Sequence, residues 1–431
     1  MVTRTWIASL APLLIVLPNL SHAAEYVAIP EEVLVLAGER GRGPGRDALG
    51  TDPVRAAIAA GKWTPPRAGD KVGEPGRERT WTTAKLKQGT PDSPGAASGY
   101  TYIPVPSDDS RVALLEARGH GMVYVNGEPR IGDVYGTGYV RLPVFLNKGT
   151  NHFLFAPGRG PVNVKFTKPK AEAEIHLGDV TAPELVAGEP TNALVGVPIL
   201  NNTATPANDL ILETTLAEGK RLIMKLPSLP PLSMRKVAVE IAGPATEKLG
   251  PITCSLVLRR GEQTLDKTSM TFNVVAPTST RKVTFRSGID GSVQYYGWVP
   301  ATPDSDKNRS PGLILTLHGA GVEGIGQAAC FSPKAGLHVV APTNRRAFGF
   351  DWEDWGRQDA IEVLDLATKK LKTDLMRTYL TGHSMGGHGT WHLGVTYPDR
   401  FAAIGPSAGW VSLRSYGGLR RDDKPSAERE L

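Results

Sequence analysis

Two glycine-bracketed clusters in the last third of the chain carry residues that could do chemistry. Gly382-His383-Ser384-Met385-Gly386 has the pattern G-x-S-x-G, which places a serine on a sharp turn between a strand and a helix. A hydroxyl so exposed attacks a carbonyl carbon and forms an acyl-enzyme once a base removes its proton. Gly382 and Gly386 fit that geometry, because only small neighbours let strand and helix approach at the turn. His318-Gly319-Ala320-Gly321 closes an earlier apolar run. Backbone N–H groups near Gly319 and Ala320, with that of Met385, are the expected donors to the negative oxygen of a tetrahedral intermediate. Losing one such donor costs about 3–4 kcal/mol.

The base is harder to find. His383, His388 and His392 lie on the turn or on the helix after it, where a ring points along its own helix and does not reach the serine hydroxyl. No histidine follows His392, and His318 belongs to the glycine loop. Asp422 and Asp423 are candidate acids, and unstructured tail charge is the better account of them. The expectation is that an acid and a histidine are missing from the chain as written, together with the C-terminal part that carries them.

Such a serine needs a buried sheet beneath it. "GLILTLHGAG" is a continuous apolar run of the kind found in strands buried on both faces, and "GLHVVAPTN" is a second. "GRQDAIEVLDLATKKL" places Ile361, Val363, Leu364, Leu366 and Leu371 close to a helical period. "RTYLTGHSMGG" is a third strand and "RFAAIGPSAGW" a fourth. Strand–helix alternation predicts a mostly parallel sheet with crossover helices.

"LTLHGAG", "DWEDWG", "YLTGHSMGGHGTW" and "YPDRFAAIGPSAGW" together resemble the α/β-hydrolase superfamily. They are most similar to exported prolyl-oligopeptidase-like serine hydrolases and to polyhydroxybutyrate depolymerase and feruloyl esterases. The resemblance runs from Val283 to Trp410. It implies a serine hydrolase of peptide or carboxylic ester bonds with Ser384 as nucleophile, no cofactor and no metal. It implies the order nucleophile, acid, histidine, which this chain does not complete. Trp352 and Trp355 occupy a stretch that approaches the substrate cleft in such relatives; packing over the sheet accounts for them equally well. With the C-terminal part absent, the strand at Phe401 to Pro406 is expected at an unprotected sheet edge. The rival reading is a non-catalytic glycan-binding or cell-envelope protein built on a degenerate hydrolase scaffold.

The remaining chain divides by composition. Arg4, the apolar run "WIASLAPLLIVL" and the small residues of "SHA" read as a signal peptide over residues 1–23, too short and too Pro-interrupted for a stable membrane anchor. A secreted or periplasmic location follows. Residues 24–79 are rich in Gly, Pro and Arg and read as an irregular lead-in with one short helix at "DPVRAAIAAG". Residues 80–169 alternate in short apolar runs, with Asn126-Gly127 as a two-residue hairpin turn. This stretch resembles galactose-binding-like jelly rolls, which implies carbohydrate as a partner. Tyr135, Tyr139 and His120 are candidates for a ligand face, and core packing explains them too. Residues 174–277 read as a second, immunoglobulin-like sandwich. The fold class expected is therefore two β-sandwiches followed by a partial α/β-hydrolase domain over residues 283–431.

Charge narrows the partners further. A net charge of +6 with Lys and Arg scattered, and no basic helix, argues against nucleic acid. Cys254 and Cys330 lie in different domains and are expected as two buried free thiols, without metal spacing.

Overall fold

The computed structural model describes residues 27–38, 52–73, 75–76, 78–345, 349 and 351–411. The expected signal peptide and Asp422 and Asp423 lie outside the described residues.

The first unit is built from two antiparallel sheets over one core. An eight-stranded sheet includes Glu32–Leu36, Arg79–Lys87, Tyr100–Ser107, Gly149–Pro157 and His120–Val125, and a three-stranded sheet holds Arg111–Arg118, Arg141–Leu146 and Asn163–Thr167. Val35, Ile103, Leu115, Val144, Phe153 and Phe166 fill the space between them. Asn126 and Gly127 both take positive φ (51° and 92°) and turn the hairpin between Val125 and Glu128, as the dipeptide predicts. The lead-in is more ordered than its composition predicts. Glu32–Leu36 is a paired strand of the large sheet, bonded to both Arg79–Lys87 and Tyr100–Ser107. The helix Pro53–Ala59 forms where expected, capped by the Asp52 carboxylate. It helps to cover the outer face of that sheet, where Trp81, Tyr100, Tyr102 and Leu154 form a second apolar layer.

The second unit pairs a three-stranded sheet with a five-stranded one around Val197, Ile199, Leu212, Val239, Leu256 and Phe272. Arg141 of the first unit reaches Glu174 of the second at 3.2 Å, and Thr284 of the third unit donates to the Leu194 carbonyl at 2.6 Å. Cys254 is buried in this core and Cys330 is exposed in the third unit. Both are free, so the expectation holds for pairing and fails for the burial of Cys330.

The third unit is a six-stranded sheet with helices on both faces. Its strands are β1 (Arg281–Arg286), β2 (Val293–Val299), β3 (Gly312–Leu317), β4 (Leu337–Ala341), β5 (Thr378–His383) and β6 (Ala403–Ser407). The order is β1-β2-β4-β3-β5-β6, antiparallel across the first two pairs and parallel from β4 onward. The helices are α1 (Gly324–Ala329), α2 (Trp355–Leu371) and α3 (Met385–Thr396). Central β3 is nearly all buried, as an apolar run with parallel neighbours on both sides should be. On one face Leu313, Leu315 and Leu380 pack against Val363, Leu364 and Ala367 of α2 and Leu393 of α3. Among the described residues β6 is the sheet's last strand, and Ala403, Gly405 and Ser407 are exposed. No helix of the described residues is long and apolar enough to cross a membrane.

Candidate active site

The parallel strands β3, β5 and β6 end level with one another. Leu317 pairs with Gly382, Gly382 with Pro406, and His383 with Ser407. The next residue after β5 is Ser384, with φ 56° and ψ −117°, and α3 begins at Met385. A non-glycine residue in this region is strained and persists only where its surroundings hold it. Here the Ser384 N–H donates to the Ser407 carbonyl (2.9 Å) and the Ser384 carbonyl accepts from the His388 N–H (3.1 Å). Close packing does the rest. A methyl on Gly386 would fall 2.0 Å from the Leu317 carbonyl oxygen, and one on Gly382 would fall 2.3 Å from that of Gly386. Both glycines are therefore fixed by contact between β3, β5 and α3.

The glycine loop after β3 lies against this turn. A Cβ on Gly319 would be 3.7 Å from Ser384 Cβ and 3.3 Å from the His383 carbonyl. His318 anchors the loop from beneath. Its ring is fully buried, with Nδ1 2.9 Å from the Gly319 carbonyl and Nε2 3.1 Å from that of Thr343. Burial lowers its pKa, so the neutral ring carries one N–H and bonds one of the two carbonyls at a time. Because a peptide group is planar and trans, a Gly319 carbonyl turned toward this ring sends the Ala320 N–H the opposite way. Met385 opens α3, so its N–H has no intrahelical acceptor.

The histidines near the serine are engaged elsewhere. His383 is exposed and its Nδ1 lies 3.2 Å from Ser407 Oγ. His388 is bonded to Glu353 and to the Trp410 carbonyl. His392 is stacked at 6.4 Å on His388, and burial lowers its pKa. Among the described residues the Ser384 hydroxyl has no hydrogen-bond partner.

The two tryptophans of "DWEDWG" separate. Trp352 is fully buried, and its Nε1 donates to the His318 carbonyl at 3.2 Å while its ring meets that of His318 edge-on at 4.9 Å. It supports the glycine loop from the core, which is the packing role that the sequence allowed it equally. Trp355 is 56% exposed at the start of α2. Glu353, next to Trp352, carries no local signal in the sequence, because its partner His388 is 35 residues away. In the first unit His120 is buried edge-on against Phe155 at 5.2 Å, and Tyr135 lies under the Arg159 guanidinium. His120 is a core residue.

At the strand ends beside the site, Arg345 takes φ 67° and pairs with Asp290. It also approaches Asp359 of α2 at 3.7 Å. Asp359 is buried, and that burial raises its carboxyl to about 6 against the lowering effect of Arg345. Among the described residues no cluster of His, Cys, Asp and Glu is arranged to hold a metal.

A match to a family model falls on this unit. Residues 303–425 match the family model described as "Putative esterase". A protein of Arthroderma benhamiae, called an uncharacterized secreted protein, is 27% identical over 150 residues. That match covers 29% of this chain and spans only 15% of the relative's length. Among solved structures, fluorophosphonate-binding serine hydrolase F of Staphylococcus aureus is similar at 20% identity and TM-score 0.26, over 34% of this chain and 63% of that one. Acetyl xylan esterase from Aspergillus awamori is similar at 21% identity and TM-score 0.25, over 29% and 50% of the two chains.

Proposed function

We propose that the third unit is a serine esterase of the α/β-hydrolase type, acting on carboxylic esters, with Ser384 as nucleophile. The observation that carries this reading is the strained Ser384 at the β5–α3 turn, with Gly319 packed against it. The family match over residues 303–425 favours ester over peptide bonds. In this mechanism Ser384 Oγ attacks the ester carbonyl carbon and the alkoxy C–O bond breaks. The alcohol leaves, and water then releases the acid from the acyl-serine. The N–H groups of Met385 and of Gly319 or Ala320 hold the oxyanion in both steps. The reading requires a general base that the described residues do not offer to Ser384.

Two β-sandwiches, the first jelly-roll-like and the second immunoglobulin-like, precede the esterase unit in this reading. Export is part of it, supported by the leader-like residues 1–23 and by the secreted relative.

The test is labelling by a fluorophosphonate probe together with hydrolysis of p-nitrophenyl acetate. Ser384→Ala is expected to abolish labelling and whatever turnover the wild-type chain shows. Turnover that survives in Ser384→Ala sinks the assignment. Absence of both labelling and turnover in the wild-type chain favours the non-catalytic scaffold.

A further inference from the structure

One imidazole joins three chain segments around the serine turn. His388 lies in the first turn of α3 and is 3% exposed. Its Nδ1 is 2.9 Å from the Trp410 carbonyl, just past β6, and its Nε2 is 2.7 Å from Glu353 Oε1, in the turn before α2. The ring stacks on the Trp410 indole, with centroids 4.7 Å apart and planes 9° apart. Both partners are acceptors, so the pair of bonds needs two hydrogens shared between the ring and the carboxyl group. The same two segments touch the serine turn elsewhere. Ser407 accepts the Ser384 N–H, and the Asp351 N–H donates to Met385 Sδ at 3.1 Å.

We propose that His388 and Glu353 are a positioning pair. They clamp the 351–354 turn and the 407–410 loop onto α3, and so set the walls around Ser384. The inference rests on reading Ser384 as the nucleophile. His388 acts through those segments and not on the reacting atoms, since both of its ring nitrogens are occupied. Simple filling of space would be met by any flat ring; the clamp needs the hydrogen bonds.

Two variants separate these roles. His388→Phe keeps a ring against Trp410 and loses both bonds. Glu353→Gln changes a partly exposed side chain and leaves the core intact. With p-nitrophenyl acetate, kcat is expected to fall about 100-fold in His388→Phe and about tenfold in Glu353→Gln, with KM within about twofold. Amide hydrogen exchange should quicken in peptides spanning 351–356 and 403–411 in both variants. Unchanged exchange there, or quickened exchange with unchanged kcat, overturns the proposal. Should Ser384→Ala keep full turnover, the nucleophile assignment fails, and the exchange measurement still decides whether the clamp exists.

Discussion

Ser384 and its two glycines show how a three-residue pattern becomes a geometry. The strain at φ 56° is held by two backbone hydrogen bonds and by contacts that leave no room for a methyl group. Gly386→Ala would push Cβ into the Leu317 carbonyl. Relief requires β3 and α3 to part, at a cost of about 1–3 kcal/mol, as for other overpacked sites. The expected outcome is a lower melting temperature and loss of fluorophosphonate labelling, because the turn can no longer present the hydroxyl. Labelling at the wild-type rate in this variant would show that the close contact does not define the turn. The pattern itself was legible because its glycines are required by local contact. Trp352 was not, since nothing in "DWEDWG" says which of two indoles turns inward.

At the scale of elements, four of the six strands of the third unit, β3 to β6, were legible, while the antiparallel β1 and β2 were not. The apolar runs are continuous because neighbours bury both faces, and α2 follows its 3.6-residue period down to Val363, Leu364 and Ala367. The strand Glu32–Leu36 was hidden because five residues beside a Gly- and Pro-rich stretch carry too little pattern to outweigh the composition. The pairing of Glu353 with His388 was hidden for another reason: it depends on how α2 and α3 pack, which no local spacing encodes. The end of α2 offers a direct test. Lys372 caps it in the left-handed region, φ 51° and ψ 47°, where a side chain is strained and glycine is not. Lys372→Gly is expected to stabilise the unit by about 0.5–1 kcal/mol, read as a rise in melting temperature. A fall would mean that the lysine side chain contributes more than its backbone strain costs.

Across the whole molecule, two buried groups answer acid in opposite senses. Burial lowers His120 in the first unit from 6.5 to about 4. The unfolded chain therefore takes up that proton first, and the first unit loses stability as pH falls from 6.5 toward 4. Asp359 in the third unit moves the other way, from 3.8 to about 6. Its folded carboxyl keeps a proton that the unfolded chain has lost, so its contribution is present below 3.8 and is lost as pH rises through 6. Each unit of difference amounts to about 1.4 kcal/mol at most. Calorimetry from pH 7 to pH 4.5 should show the first unit weakening while the third strengthens. His120→Phe should remove the first trend and Asp359→Asn the second. If neither substitution alters the pH slope, the titrating groups are others.

The strand order of the third unit also bears on how the chain is made. Central β3 takes one neighbour from β4 and the other from β5, both of which follow it in the chain. During synthesis at about 5–20 residues per second, the apolar run Gly312–Leu317 therefore waits several seconds before β5 emerges to close its second edge. The two sheet pairs upstream are complete by then. A pause in translation between Ala341 and Thr378 would prolong the exposure of this apolar segment, and chaperone dependence should be greatest in that interval.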